Sequence, residues 1–309
     1  MAFALQSCQG SQEIKKIEDF YRKSLRILQG LPESVAKESV YLLSGQLPAE
    51  ALLHCRSFSL FGQIARLESD HPLKRLAARQ IAIRSPKSGS WFANLFKLAS
   101  CYDIDLTQAL FFPWKKETWK AYCKKTVATH WEFRLRSQII VKRSLKMILW
   151  PKFALLEPHG LWQACRGSPR EARAAETRAR FLTGRYTCFA SAWIRRPDGS
   201  VETCKMCNRD PETLAHLMIG CKYVLHFTRP IISQLLHLFL AQNLPLPSDD
   251  AELESLILNG SSYWSDRLNL TVELRSNTPD WLQANKLANQ IFHKIDYIRQ
   301  TFLGDLTKI

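Results

Sequence analysis

The sequence predicts a mainly α protein: a helical bundle carrying one small cysteine-rich segment and a short β-hairpin. Three observations lead there. Apolar residues recur at intervals of three and four over most of the chain, Trp114–Leu149 runs without an internal Gly or Pro, and extended segments are confined to short arms around one turn. With 46% hydrophobic and 23% charged residues in a 309-residue chain, there is enough apolar material for one large core or two modest ones.

The first region, residues 1–112, reads as successive helices in a thumb-like helical region. Ile14, Ile17, Tyr21, Leu25 and Leu28 lie on one helical face, and Gly30-Leu31-Pro32 ends the run. A second helix is expected from Glu33 to Leu43. A third follows Leu47-Pro48 through Leu53, Phe58, Leu60 and Ile64, and a fourth starts after His71-Pro72. Ser85–Ser90 reads as a loop.

The second region, residues 113–240, is basic and helical. Trp119, Tyr122, Cys123, Val127, Trp131, Leu135 and Ile139 form a stripe that belongs in a core, while Lys116, Lys120, Lys124, Arg134 and Lys142 fall largely off it. Pro151–Gly160 reads as a linker, and Ser168-Pro169 opens a helix that runs to about Gly184. Pro197-Asp198-Gly199 makes a turn between Ala192–Ile194 and Val201–Thr203, a small hairpin. Tyr223–Leu240 is an apolar helix. The last region, residues 241–309, opens with the loop Asn243–Asp250 and closes with a helix over Asp280–Leu303, with Leu282, Leu287, Ile291, Ile295 and Ile298 or Phe302 inside.

Ile231–Leu240 is broken by Ser233, Gln234 and His237, so no unbroken run approaches a membrane span, and no membrane is expected as a partner. Met1–Gly10 has no basic residue ahead of its apolar stretch, which argues against a secretory signal and for an intracellular, preferentially nuclear protein with reduced thiols. An odd count of nine cysteines then points to metal ligation or burial rather than disulfides.

Charge is concentrated. Lys and Arg number 43 against 28 Asp and Glu, a net +15. Residues 1–114 carry 14 basic and 10 acidic groups (+4), residues 115–200 carry 19 and 6 (+13), residues 201–221 carry 2 and 3 (−1), and residues 222–309 carry 8 and 9 (−1). A cationic segment this dense attracts polyanions and releases their counterions on contact, so the expected partner is RNA or DNA, bound through phosphates. Candidate contacts are Lys120, Lys124, Arg134, Lys142, Arg170, Arg173, Arg178, Arg180 and Arg185.

One constellation carries chemistry. Cys204, Cys207, His216 and Cys221 form a C-x2-C-x8-H-x4-C array that places three of the nine cysteines within eighteen residues. Two residues between thiolates allow a tight turn to aim both sulfurs at one ion, and Cys3His supplies a closed tetrahedral set for a structural Zn2+. Asp210-Pro211 reads as an N-cap with proline at the first helical position, which projects His216 from the second turn, and Gly220 reads as the residue permitting a sharp exit to Cys221. Cys8, Cys55, Cys101, Cys123, Cys165 and Cys188 are expected in the core, Cys188 being the one candidate for an additional ligand, and His226 and His237 in the core or on the surface.

Arg180-Phe-Leu-Thr-Gly-Arg-Tyr, Cys204-x2-Cys207, Glu212-Thr213-Leu-x-His216-Leu and Cys221 together resemble the zinc-binding domain downstream of the reverse transcriptase domain in non-LTR retrotransposon polyproteins. Phe20-Tyr21-Arg-Lys-Ser-Leu-Arg-Ile-Leu-Gln-Gly-Leu-Pro and Val40-Tyr41-Leu-Leu-Ser-Gly-Gln-Leu-Pro-Ala-Glu50 resemble the helical region after the polymerase palm in jockey-like elements. The resemblance covers about residues 10–110 and 170–225 and does not extend to 240–309. It implies the C-terminal portion of such a polyprotein, encoded alone or truncated, with a separate reverse transcriptase domain as a partner.

A polymerase of that family needs paired aspartates after an aromatic residue at a hairpin tip to hold two magnesium ions. Asp103-Ile-Asp105 and Pro247-Ser248-Asp249-Asp250 have other surroundings. No catalytic residue is therefore expected. The function read from the sequence is a non-catalytic, zinc-stabilised nucleic-acid-binding module, the alternative being a protein-interaction module built on the same structural zinc.

Overall fold

The first helix, α1 (Gln12–Leu28), ends in a Schellman arrangement: Gly30 adopts φ 60°, its N–H donates to Ile27 O, and Leu31 N–H donates to Arg26 O. The computed structural model describes residues 12–83, 89–142, 145, 154–165, 167–186, 203–260, 263 and 279–306. Within these the chain is helical: α2 (Lys37–Ser44), α3 (Ala49–Ala65), α4 (Pro72–Ile83), α5 (Trp91–Tyr102), α6 (Leu106–Phe111), α7 (Lys116–Ile140), α8 (Gly160–Gln163), α9 (Pro169–Leu182), a π turn (His216–Gly220), α10 (Lys222–Ala241), α11 (Asp250–Asn259) and α12 (Pro279–Leu306). An isolated antiparallel bridge pairs Thr203 with Pro211. The mainly α expectation holds. The expected hairpin arms and the loop at Ser85 fall almost wholly outside the described residues. The second helix begins at Lys37 rather than Glu33.

The chain forms two compact units, one of Gln46–Leu135 with the chain up to Ser24, the other of Leu25–Gly45 with the chain from Arg136 onward. These bounds differ from divisions at 112 and 240. The reason is packing: α12 lies against both α9 and α10, which joins the last region to the helices on either side of the Cys204–Cys221 segment. Leu25–Gly45 belongs there too. Leu156 N–H donates to Gly45 O, His159 N–H donates to Leu43 O, and a Cβ at Gly45 would fall 2.0 Å from the Glu157 carbonyl oxygen, so only glycine permits this crossing. The buried Glu38 carboxylate pairs with Lys142 in the same unit.

In the first unit the aromatic stripe of α7 is core, as its spacing predicts. Trp119, Cys123, Val127, Trp131 and Leu135 are buried. Trp119 donates its indole N–H to Phe58 O at 2.7 Å, and its ring lies where a Cβ on Gly62 would stand, 2.2 Å away, so α3 can meet α7 only through a glycine. Trp131 donates to the Tyr102 hydroxyl at 2.8 Å, leaving that hydroxyl's own proton for His54 Nδ1 at 2.6 Å. The two aspartate pairs are taken up by helix ends: Asp103 stands at the left-handed C-cap of α5, Asp105 caps α6 through Gln108 N–H, and Asp249 caps α11 through Glu252 N–H.

In the second unit α10 turns Val224, Thr228, Ile232, Leu235 and Phe239 inward. By length and composition it is the one helix among the described residues that could cross a membrane, which a search for an unbroken apolar run misses. Ile291, Phe292 and Ile295 of α12 are fully buried, and Phe292 meets Phe181 of α9 at 4.6 Å between ring centres.

Burial, and then the neighbouring His130, lowers the His54 pKa from 6.5 to about 4. The unfolded chain therefore takes up a proton that the folded one refuses between these values. Stability of the first unit should fall as pH drops from 6.5 to 4 and level off below, a slope that His54→Gln should largely remove in urea titrations.

Candidate metal centre

The segment Thr203–Cys221 closes on itself before it meets anything else. Cys204 N–H donates to Asp210 O and Asn208 N–H to Cys204 O, both at 2.7 Å, with Asn208 in the left-handed region at φ 51°. The Thr203–Pro211 bridge completes the loop. Pro211 is thus part of a bridge and does not open a helix, which corrects the capping expected at Asp210. Helical geometry begins at Leu214, and the cap is Thr213, whose Oγ1 accepts the His216 N–H at 3.0 Å.

Beyond it the backbone widens. Cys221 N–H donates to His216 O at 2.6 Å, five residues back, and His216–Gly220 forms a π turn. In an α-helix residues five apart are rotated by about 140°, at 3.6 residues per turn. The wider turn returns Cys221 to the side occupied by His216. Gly220 makes its exit to Cys221 without a left-handed φ; its missing side chain matters because a Cβ would lie 3.1 Å from His216 Nδ1.

The result brings all four predicted ligands together. Cys204 Sγ lies 3.9 Å from Cys221 Sγ, Cys207 Sγ lies 3.4 Å from His216 Nε2, and the four donor atoms all fall within 4.8 Å of one another. Neighbouring backbone amides act to lower the pKa of each of the three thiols: those of Met206 and Cys207 at Cys204, of Arg209 and Asp210 at Cys207, and of Tyr223 and Val224 at Cys221. Amide donors favour the thiolate. Cys221 also caps the N-terminus of α10, where the helix dipole favours negative charge.

Burial works against ionisation. It pushes the Cys204 thiol up to about 12 and raises Cys221, whereas at Cys207 the amide bonds outweigh burial and the thiol lies below its ordinary value. Two buried sulfurs that resist ionisation, yet are furnished with amide donors, fit a site completed by a cation. His216 presents Nε2 to the sulfurs and turns Nδ1 toward the Asp210 carboxylate 3.9 Å away, an electrostatic approach that favours the tautomer with a free Nε2. Glu212, 1% exposed, meets Arg299 of α12 at 3.0 Å and ties the loop to the helical body. The arrangement can hold one metal ion with four protein donors, leaving no open position on a tetrahedral ion.

The nine candidate cations separate by environment. Lys120, Lys124 and Arg134 are exposed in the first unit, with Arg134 resting over the Trp131 ring at 4.7 Å. Arg170 and Arg173 are exposed on α9. Arg180 is exposed but bonds Glu176 and donates to Gly30 O; Lys142 is engaged by Glu38; Arg185 is half-buried. Arg178 is a correction. It is 0% exposed and cannot touch a phosphate in this fold: Nε and Nη2 donate to Leu258 O, and Nη1 donates to Asn285 and Asn289 Oδ1. Burial draws its pKa down to about 9, so the guanidinium stays charged at neutral pH.

Spacing had placed Arg178 with the surface arginines of α9. The sequence signal against this was its flanking by Ala174, Ala175, Ala179 and Leu182, and the pair Asn285 and Asn289, one turn apart on the helical face that also carries Trp281, Ala288 and Phe292. Of the other cysteines Cys123 is buried and Cys55 and Cys165 partly so, whereas Cys101 is exposed, its thiol donating to Lys97 O; Cys8 and Cys188 lie outside the described residues. His226 and His237 are exposed. No known protein family, curated protein or solved structure matches the chain.

Arg178→Ala should destabilise the second unit by about 3 to 5 kcal/mol, through lost hydrogen bonds and the cavity left behind. A lowered urea midpoint with an unchanged slope is the expected result. Removing metal with a chelator, or replacing Cys207 with Ser, should abolish hydrogen-exchange protection of Cys204–Val224 while leaving Ala49–Leu135 protected.

Proposed function

We propose that the chain is a non-catalytic module that binds RNA or DNA through its phosphates, held in shape by structural zinc and derived from the region downstream of a non-LTR retrotransposon reverse transcriptase. The ion is zinc because three sulfurs and one imidazole nitrogen suit that borderline-soft metal. Zn–S bonds of about 2.3 Å and Zn–N bonds of about 2.0 Å span edges of roughly 3.5 to 3.8 Å in a tetrahedron. Cys204, Cys207, His216 and Cys221 would hold it, and bound there it organises the fold without activating water.

The observation that carries nucleic-acid binding is the charge of residues 115–200, net +13, together with the solvent exposure of Lys120, Lys124, Arg134, Arg170 and Arg173 within it. Flexible cations on helices track a backbone and release its counterions; they select no base. The module would work inside the cell, in the nucleus, beside a separate reverse transcriptase domain that supplies the chemistry. The capping roles of Asp105 and Asp249 support the non-catalytic reading, since both carboxylates serve helix ends rather than a pair of ions.

Arg170→Glu with Arg173→Glu should weaken binding to unrelated sequences alike and flatten the dependence of affinity on salt, as measured by fluorescence anisotropy. Zinc content should not change. Tight, salt-insensitive binding, or unaltered affinity after charge reversal, would favour a protein-docking module instead. The zinc-loaded chain should also fail to extend a primed template with magnesium or manganese.

A further inference from the structure

The outward faces of α10 and α12 carry large aromatic rings in solvent, which neither the metal centre nor the core explains. Phe227 on α10 is 41% exposed and Tyr297 on α12 is 59% exposed, while Tyr223, one turn before Phe227, is 45% exposed. The inward stripe of α10 is already supplied by Val224, Thr228 and Ile232, so these rings are not needed for packing. Lys294 joins them. Its Nζ lies 5.3 Å from the centre of the Phe227 ring and 5.6 Å from that of Tyr297, one ammonium reaching two rings. Tyr223 extends the patch at 6.2 Å from Phe227.

Positive charge continues beside the rings. His293, next to Lys294, titrates below its ordinary value, first because it is partly buried and then because Arg170 opposes its protonation; Arg173 and Lys294 act the same way, against Asp296. Exposed Arg170 and Arg173 stand on α9, which packs against α12, and both lie near enough to His293 of α12 to oppose its charge. The nearby carboxylates are engaged: Asp296 accepts from Tyr186 and Gln300, and Glu171 pairs with Lys286 at 3.0 Å. The metal centre bears on this strip as well, because Cys221 stands at the N-cap position of α10, two residues before Tyr223.

We infer that this strip binds single-stranded nucleic acid, its bases stacking on Phe227 and Tyr297 and its phosphates meeting Lys294, Arg170 and Arg173. The inference rests on the nucleic-acid reading above and narrows it to unpaired strands. Rings and cations alternate here as bases and phosphates alternate along a strand, whereas a duplex keeps its base faces inside its own stack. A protein hot spot needs a continuous desolvated apolar centre, and Lys294 stands between the two rings where that centre would be.

The test uses the full zinc-loaded chain, a short mixed-sequence oligonucleotide as RNA and as DNA, and the duplex of the same sequence, with anisotropy as the readout. Phe227→Ala and Tyr297→Ala should each lose roughly tenfold in single-strand affinity and leave duplex affinity unchanged. Tyr297→Phe keeps the ring and should bind as wild type. Arg170→Glu with Arg173→Glu should weaken both ligands. Ring variants that bind the single strand like wild type, or that lose strand and duplex equally, overturn the platform while the phosphate reading stands. Wild-type protein that binds neither ligand at low salt overturns both. If Phe227→Ala loses zinc or helicity, the comparison of Tyr297→Ala with Tyr297→Phe decides, since that side chain is largely in solvent.

Discussion

Cys221 has two obligations, and much of the second unit follows from reconciling them. Its sulfur must reach the same point in space as those of Cys204 and Cys207, and its backbone must start α10, a helix of 20 residues. A regular α turn from His216 would have carried it around the helix, away from the other donors. The π turn removes the conflict at the cost of less favourable backbone geometry, which the donor set can offset once an ion is bound. The direction of α10, and hence where its inner stripe meets α12, then depends on the ligand cluster. A short loop, itself seated by buried Met206, Leu217 and Met218, thereby orients the helix that carries the next buried stripe.

The cluster is anchored from its other side by an ion pair. Glu212 is almost wholly buried, and a carboxylate there is tolerable only because Arg299 meets it. Tyr186 gathers the same region: its hydroxyl donates to Asp296, the Arg299 guanidinium lies over its ring, and the ring stacks on Phe181. The metal loop, α9 and α12 are therefore joined through polar groups with directional demands as well as through apolar contact. Such contacts restrict register more sharply than greasy surfaces do.

Arg178 shows the same physics with the sign reversed. A guanidinium enclosed by carbonyl and carboxamide oxygens has no carboxylate partner among the described residues, so its desolvation is offset there by hydrogen bonds drawn from α11 and α12. Two residues further, Arg180 has the same charge and an exposed side chain. Positive charge in α9 thus divides between a structural clamp and a solvent-facing surface. Only the second kind is available to a polyanion.

The sequence by itself determined the helical class, because periodicity reports which face each segment buries, and it picked out the four side chains that the fold gathers into one donor cluster, because few residue types can complete a four-donor soft site. The core stripe of α7, from Trp119 to Leu135, was legible for the same local reason. The tertiary structure alone decided how Cys221 reaches the site, since a single five-residue π turn is too short to leave a period of its own in the sequence. It also decided that Leu25–Gly45 joins the second unit, through a crossing at Gly45 whose partner lies more than a hundred residues away at Glu157. The fate of Arg178 belongs with these: its alanine neighbours hint at burial, but whether an arginine is clamp or contact depends on acceptors about 80 to 111 residues distant, and the sequence does not pair them with it.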